Sequence, residues 1–221
     1  MPLTRSEVWE LVHAERCRLL DDLVTIDASA WETPSLCRPW TVHDVLAHLV
    51  DTAMTGKLAF VWSMVRARGD FDRANEDGVR RCKQDDPQQT LADLRQVLDL
   101  RRTPPADRAS RLVEAIVHGE DIRRPLGISG DYPRAAVHEA LAYQLRTSAS
   151  FGGARERAAG CRLVDSGTGA SWGEGLDVVG TGLDLLLAAT GRPVAPTALT
   201  GAGTRRFLGS QDDAPDPAHD V

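Results

Sequence analysis

The sequence predicts a mainly α protein, with a helical bundle over residues 1–151 and a small α+β lobe over 152–210. Three observations carry that prediction. Apolar residues recur at helical spacing through the first 150 positions, in segments punctuated by capping residues, prolines and glycines. From Gly152 onward the chain becomes glycine-rich and loses that period. Within the second part, short alternating segments read as strands.

A first helix is expected over 4–28. Thr4 and Glu7 have the spacing of a capping box, and Val8, Leu11, Leu19, Leu20 and Val24 give an apolar face. Residues 29–40 read as a loop holding Pro34 and Pro39. A second helix begins after Thr41, with Asp44 in its first turn, and its pattern runs to Arg68, where Gly69 stops it. Residues 69–86 are polar and charged and read as a connection. Further helices follow over 88–102, ended by Pro104-Pro105, over 107–124, ended by Pro125 and Gly127, and over 133–150. In the lobe, strands are expected at 161–165 and 176–179. A helix is expected at 183–190 and a last helical turn at 204–208. The polar tail 211–221 reads as frayed.

Composition narrows the function. The 221 residues carry a net charge of −6, and their longest basic runs are pairs such as Arg80-Arg81 and Arg123-Arg124. A nucleic-acid binder presents a basic face, so no nucleic-acid partner is expected. No apolar run approaches the roughly 20 residues that span a bilayer, and no leader precedes the first helix, so a cytoplasmic protein without a membrane anchor is expected. Cys17, Cys37, Cys82 and Cys161 are far apart in sequence and read as reduced thiols.

The chemistry concentrates in Glu114-Ala-Ile-Val-His118. Residues four apart on a helix differ by about 40° around its axis, so both side chains leave one face. That face is apolar, with Leu112, Val113, Ile116 and Val117 around it. A carboxylate there needs a partner, and a cation serves both groups. A third ligand must come from another element, and His48 lies among Val45, Leu46, Leu49 and Val50. Two imidazoles and a carboxylate suit zinc and leave a coordination position open, though nickel, iron or manganese would also be accepted. Spacing alone leaves a surface Glu–His pair and a core histidine as competing readings. His43, His138 and His219 read as non-ligands, with His43 exposed in a first helical turn.

Two segments resemble a known family. Trp31-x-x-Pro34-Ser-Leu-Cys37-x-x-Trp40-Thr41-Val42-x-Asp44-Val45-x-Ala47-His48-Leu49 is similar to the N-terminal signature of the mycothiol-dependent maleylpyruvate isomerase family, within the DinB-like metal-binding bundles. Glu114-Ala-Ile-Val-His118-Gly-Glu-Asp121-Ile-Arg123-Arg-Pro-Leu-Gly127 resembles its second block. Asp165, Trp172-Gly173, Gly175, Gly180 and Gly191-Arg192-Pro193 resemble the family's small lobe more loosely. The likeness spans most of 5–208 and is thin over 55–105.

The resemblance implies a DinB-like four-helix bundle whose divalent metal, zinc by expectation, is held by His48, Glu114 and His118. It implies a cytoplasmic thiol transferase or isomerase. Mycothiol, the low-molecular-weight thiol cosubstrate, would be activated as its thiolate for attack on a small electrophile. Asp121 or Asp44 would orient a ligand imidazole, and Asn75, Arg80 and Arg123 would contact the thiol. The alternatives are a thiol-independent metal hydrolase on the same bundle and a non-catalytic metal- or metabolite-binding protein. Either a monomer or a homodimer is compatible with the sequence.

Overall fold

The computed structural model describes residues 3–209, so the tail expected over 211–221 lies outside them. The chain forms two compact units that divide after Tyr143, eight residues before the sequence-derived boundary at 151.

The first unit is helical. Its elements are α1 (Arg5–Val24), α2 (Val42–Met54), α3 (Lys57–Arg66), α4 (Phe71–Cys82), α5 (Pro87–Val97) and α6 (Ala109–Arg123), with α7 (Arg134–Gln144) at the division. Helices α1, α6, α2 and α5 form a ring, because α1 and α2 each pack against both α5 and α6. This is the expected four-helix arrangement. Its apolar core includes Leu19 and Leu23 of α1, Val45, Leu46 and Val50 of α2, Leu91 and Leu94 of α5, and Ile122 of α6.

Local chemistry sets where these helices start and stop. Thr4 and Glu7 form the expected capping box, the Glu7 carboxylate accepting from the Thr4 N–H at 2.7 Å. Pro87 opens α5, and the Asp86 carboxylate accepts from the Gln88 N–H at 2.9 Å. The far end of α5 is closed by Arg16, whose Nη1 donates to the carbonyls of Leu98 and Leu100 at 3.1 and 3.0 Å. After α6, Gly127 takes a φ of +69°, a conformation that costs an L side chain strain, and the Ile128 N–H returns to the Arg123 carbonyl.

Two sequence expectations are corrected here. The helix expected to run unbroken from Thr41 to Arg68 is two helices, interrupted at Thr55-Gly56. The charged stretch read as a connection holds α4, capped by Asp70 and packed against α2 through Gly78, Val79 and Cys82. Among the described residues, no helix is long and apolar enough to cross a membrane.

The second unit is a small α+β lobe. Strands β1 (Cys161–Asp165), β2 (Ser171–Trp172) and β3 (Leu176–Gly180) form a sheet in the order β2-β1-β3. β1 runs antiparallel to β2, with Leu163 opposite Trp172, and parallel to β3, with Leu163 opposite Val178. Helices α8 (Gly182–Ala189) and α9 (Thr204–Leu208) pack on this sheet. Leu163, Val178, Leu185, Leu186 and Phe207 are fully buried. The buried Asp165 carboxylate accepts from the Gly167 and Gly182 N–H groups and the Thr168 hydroxyl, tying the end of β1 to the start of α8.

Candidate metal centre

The position of His48 begins with the start of α2. Thr41 Oγ1 accepts from the Asp44 N–H at 3.3 Å, and the Asp44 carboxylate accepts from the Thr41 N–H at 2.9 Å. This capping box fixes the first turn, and His48 follows one turn after Asp44, pointing inward among fully buried Val45, Leu46 and Ala47. Asp44 also receives Lys83 Nζ at 2.8 Å, so its carboxylate serves the helix start rather than a ligand imidazole.

Across the bundle, α6 presents Glu114 and His118. His48 Nε2 lies 3.2 Å from Glu114 Oε2, and His118 Nε2 lies 3.6 Å from the same oxygen. One ligand atom from each residue lies within 4.8 Å of the other two. The imidazole rings of His48 and His118 meet edge to face, 4.6 Å between centroids. Glu114 Oε2 is buried, and the approach of the imidazole nitrogens is off-line for a hydrogen bond. Two imidazole nitrogens converging on a buried carboxylate oxygen that has no hydrogen-bond partner make three donors that fit a divalent cation. Bonds of about 2.0–2.1 Å in a tetrahedron place donors roughly 3.3 Å apart, close to the two separations found.

The electrostatics agree with that geometry. Burial alone would raise the Glu114 pKa. The His48 contact and the charges of Arg111, His48 and His118 outweigh it and hold Glu114 well below the usual carboxylate range. His48 is pushed down, chiefly by burial, which favours the neutral imidazole a metal requires.

Around these residues lies a supporting shell. His118 Nδ1 is 2.8 Å from the fully buried Asp121 carboxylate, an arrangement that fixes the ring and turns Nε2 towards Glu114. His48 Nδ1 has no hydrogen-bond partner, and the ring rests instead on Trp40, 4.9 Å between centroids. The buried Arg111 donates to the Thr52 carbonyl at 3.2 Å, linking α6 to the end of α2, and its Nη2 lies 3.8 Å from Glu114 Oε1. Cys37 Sγ falls within 4.8 Å of ligand atoms of both His118 and Asp121. Its loop is held there by the Leu36 N–H donating to the Asp121 carbonyl at 3.2 Å. Sequence reading passed over Trp40, Cys37 and Arg111 as parts of the centre. Arg111 was within reach, one turn before Glu114 on the same face.

The residues expected to contact a thiol lie apart from this cluster. Arg80 is exposed on α4 and pairs with Glu76 and Asp77, and Asn75 is half-buried on the same helix. Arg123 is buried and directed inward, with Glu15, Asp22 and Tyr132 as partners. His43 corrects an expectation. It is buried, because Trp31 packs edge-on against it and its Nε2 meets Thr90 Oγ1 at 2.9 Å.

Asp121→Asn tests the supporting shell. An amide in place of the carboxylate weakens the orienting contact to His118, and a loss of about 10–100-fold in metal affinity is expected. Competition titration against a chromogenic chelator measures it, and an unchanged affinity would show that Asp121 does not orient the ligand.

A family model described as the mycothiol maleylpyruvate isomerase N-terminal domain matches residues 12–109, a segment that includes His48 and stops short of Glu114. Two solved structures share the fold. One is a mycothiol-dependent maleylpyruvate isomerase, 17% identical, with a TM-score of 0.63 over 90% of this chain and 93% of that one. The other is a histidine-to-alanine mutant of a mycothiol-dependent maleylpyruvate isomerase, 14% identical, with a TM-score of 0.64 over the same shares. No curated protein matches the chain. Residues 12–109 of this chain are thus similar to the mycothiol maleylpyruvate isomerase N-terminal domain, and the chain as a whole shares the fold of the two solved structures.

Proposed function

We infer that this protein is a metal-dependent thiol transferase or isomerase, using a low-molecular-weight thiol, mycothiol by family, against a small electrophile. The observation that carries the reading is the convergence of His48, Glu114 and His118 on one buried point between α2 and α6. The similarity of residues 12–109 to the mycothiol maleylpyruvate isomerase N-terminal domain suggests the thiol.

Within this reading, His48, Glu114 and His118 hold the cation, for which the donor set favours zinc and also accepts nickel, iron or manganese. A bound divalent cation with an open position lowers the pKa of a thiol placed there. Asp121 keeps the His118 ring in register, and Arg111 holds the second oxygen of Glu114 away from the imidazoles. Apolar residues of α2 and α6 surround Glu114 Oε2, which is buried, while the side chain as a whole stays 23% exposed. The thiolate sulfur would add to an electrophilic carbon of a double bond, whose π bond breaks while the neighbouring atom takes up the proton that the thiol gave up. If the carbon–sulfur bond breaks again the product is an isomer with the thiol returned, and if it persists the product is a conjugate.

The test is turnover of a panel of electrophiles, maleylpyruvate among them, with and without mycothiol and with and without metal. Activity that needs both is expected. Full activity in metal-free protein would defeat the reading, and turnover without thiol would replace it with a hydrolase.

A further inference from the structure

α3 buries none of its residues. Leu58, Val61, Trp62 and Val65 recur at i, i+3, i+4 and i+7, one stripe along the helix, and are 88%, 52%, 64% and 64% exposed. The half-buried Phe60, Ser63 and Met64 lie on the opposite face, and the packing neighbour of the helix is α4. Gly56 opens α3 without a side-chain cap. A ten-residue helix with one packed face is marginal in water unless its apolar side is covered.

We propose that this stripe is the contact surface of a homodimer, the α3 helices of two copies packing across a two-fold axis. The stripe leaves on the order of 500 Å² of apolar surface open, the upper range for the largest patch on a monomer. Two copies would remove about 1,000 Å² before the rim is counted, the threshold for a specific interface, and the rim would bring the total towards the roughly 1,200 Å² of the smaller stable ones. A two-fold contact presents the same stripe from both sides and is self-complementary. The rim carries both signs, with Lys57, Arg66 and Arg68 exposed beside the exposed Asp70 and Asp72 at the start of α4, so opposite charges can meet across the axis. Trp62 is the expected anchor at its centre.

Other occupants fit less well. The chain's own segment 210–221 has four aspartates and offers Val221 as its only apolar side chain larger than alanine or proline. An anionic bilayer would meet the exposed Asp70 and Asp72 at the rim, on a chain of net charge −6.

Sedimentation equilibrium of the full chain over a micromolar concentration range tests the proposal. The wild type is expected to be a dimer, and Leu58→Asp and Trp62→Asp are each expected to raise its dissociation constant by about 100-fold. Both side chains project into solvent in the monomer, so unchanged helical circular dichroism and metal content should accompany the loss. A wild type that stays monomeric, or a dimer that survives both substitutions, overturns the proposal. So does a monomer that co-sediments with phosphatidylglycerol vesicles.

Discussion

Glu114→Gln is expected to give a folded protein that no longer retains a stoichiometric divalent cation. Glutamine keeps the shape of the side chain and removes its charge. Glu114 Oε2 faces the Nε2 atoms of both His48 and His118, so the substitution weakens the anionic donor that both imidazoles surround. It also leaves the buried Arg111 without the nearest carboxylate. Loss of a supporting hydrogen bond at a metal site costs about 10–100-fold in affinity, and loss of the anionic ligand should exceed the top of that range. At 100-fold the difference is about 2.8 kcal/mol of binding free energy. Elemental analysis of the purified variant and titration against a competing chelator read it out. A variant that keeps stoichiometric metal at wild-type affinity would remove Glu114 from the ligand set.

Arg123→Met is expected to lower stability by about 3–5 kcal/mol, the loss that follows when one partner leaves a buried ion pair. Arg123 sits at the centre of a polar network. Its Nη1 meets the Glu15 carboxylate and the Tyr132 hydroxyl, and its Nε donates to Asp22 at 2.7 Å. Tyr132 donates on to Glu120 at 2.8 Å, and Glu120 receives Arg124 Nε at 2.7 Å. The network fastens α1 to α6 and to the segment that follows α6. Burial already raises the Glu15 pKa against the pull of Arg123 and Arg18, and removing Arg123 raises it further. A carboxyl whose folded pKa lies above its unfolded value costs stability at high pH and regains it when protonated. The deficit of the variant should therefore narrow as pH falls through the carboxylate range. Urea denaturation at neutral and acidic pH measures both effects. A loss below about 1 kcal/mol would place Arg123 outside the structural core of this unit.

The cluster of His48, Glu114 and His118 was legible because the signal is local at both ends. Glu114 and His118 are one turn apart on an apolar face, and His48 sits in a short apolar run opened by a capping box. Their pairing across the bundle followed from the rule that metal sites in bundles are built from facing helices, and the resemblance pointed to the same three residues. The break between α2 and α3 was hidden because Leu58 to Val65 continues the apolar content of α2, although that content faces solvent. α4 was missed because Gly78, Val79 and Cys82, its buried residues, fall within one stretch of five positions, too few to show a period. Its Asp70 cap and the closing Arg80 and Arg81 were readable signals that the charge density obscured. His43 looked exposed from its place in a first turn. Its cover comes from Trp31 and Thr90, the latter 47 positions away.

The candidate ligand atoms come from two helices, α2 and α6, separated in the chain by three others, α3, α4 and α5. Any cation held there acts as a reversible cross-link between distant parts of the chain. An unfolded chain scatters these donors, so occupancy and folding become one coupled equilibrium. With free metal at 1,000 times its dissociation constant, that coupling amounts to about 4 kcal/mol in favour of the folded unit. The melting temperature would then become a function of metal availability, and scarcity of the ion would lower the abundance of the folded protein.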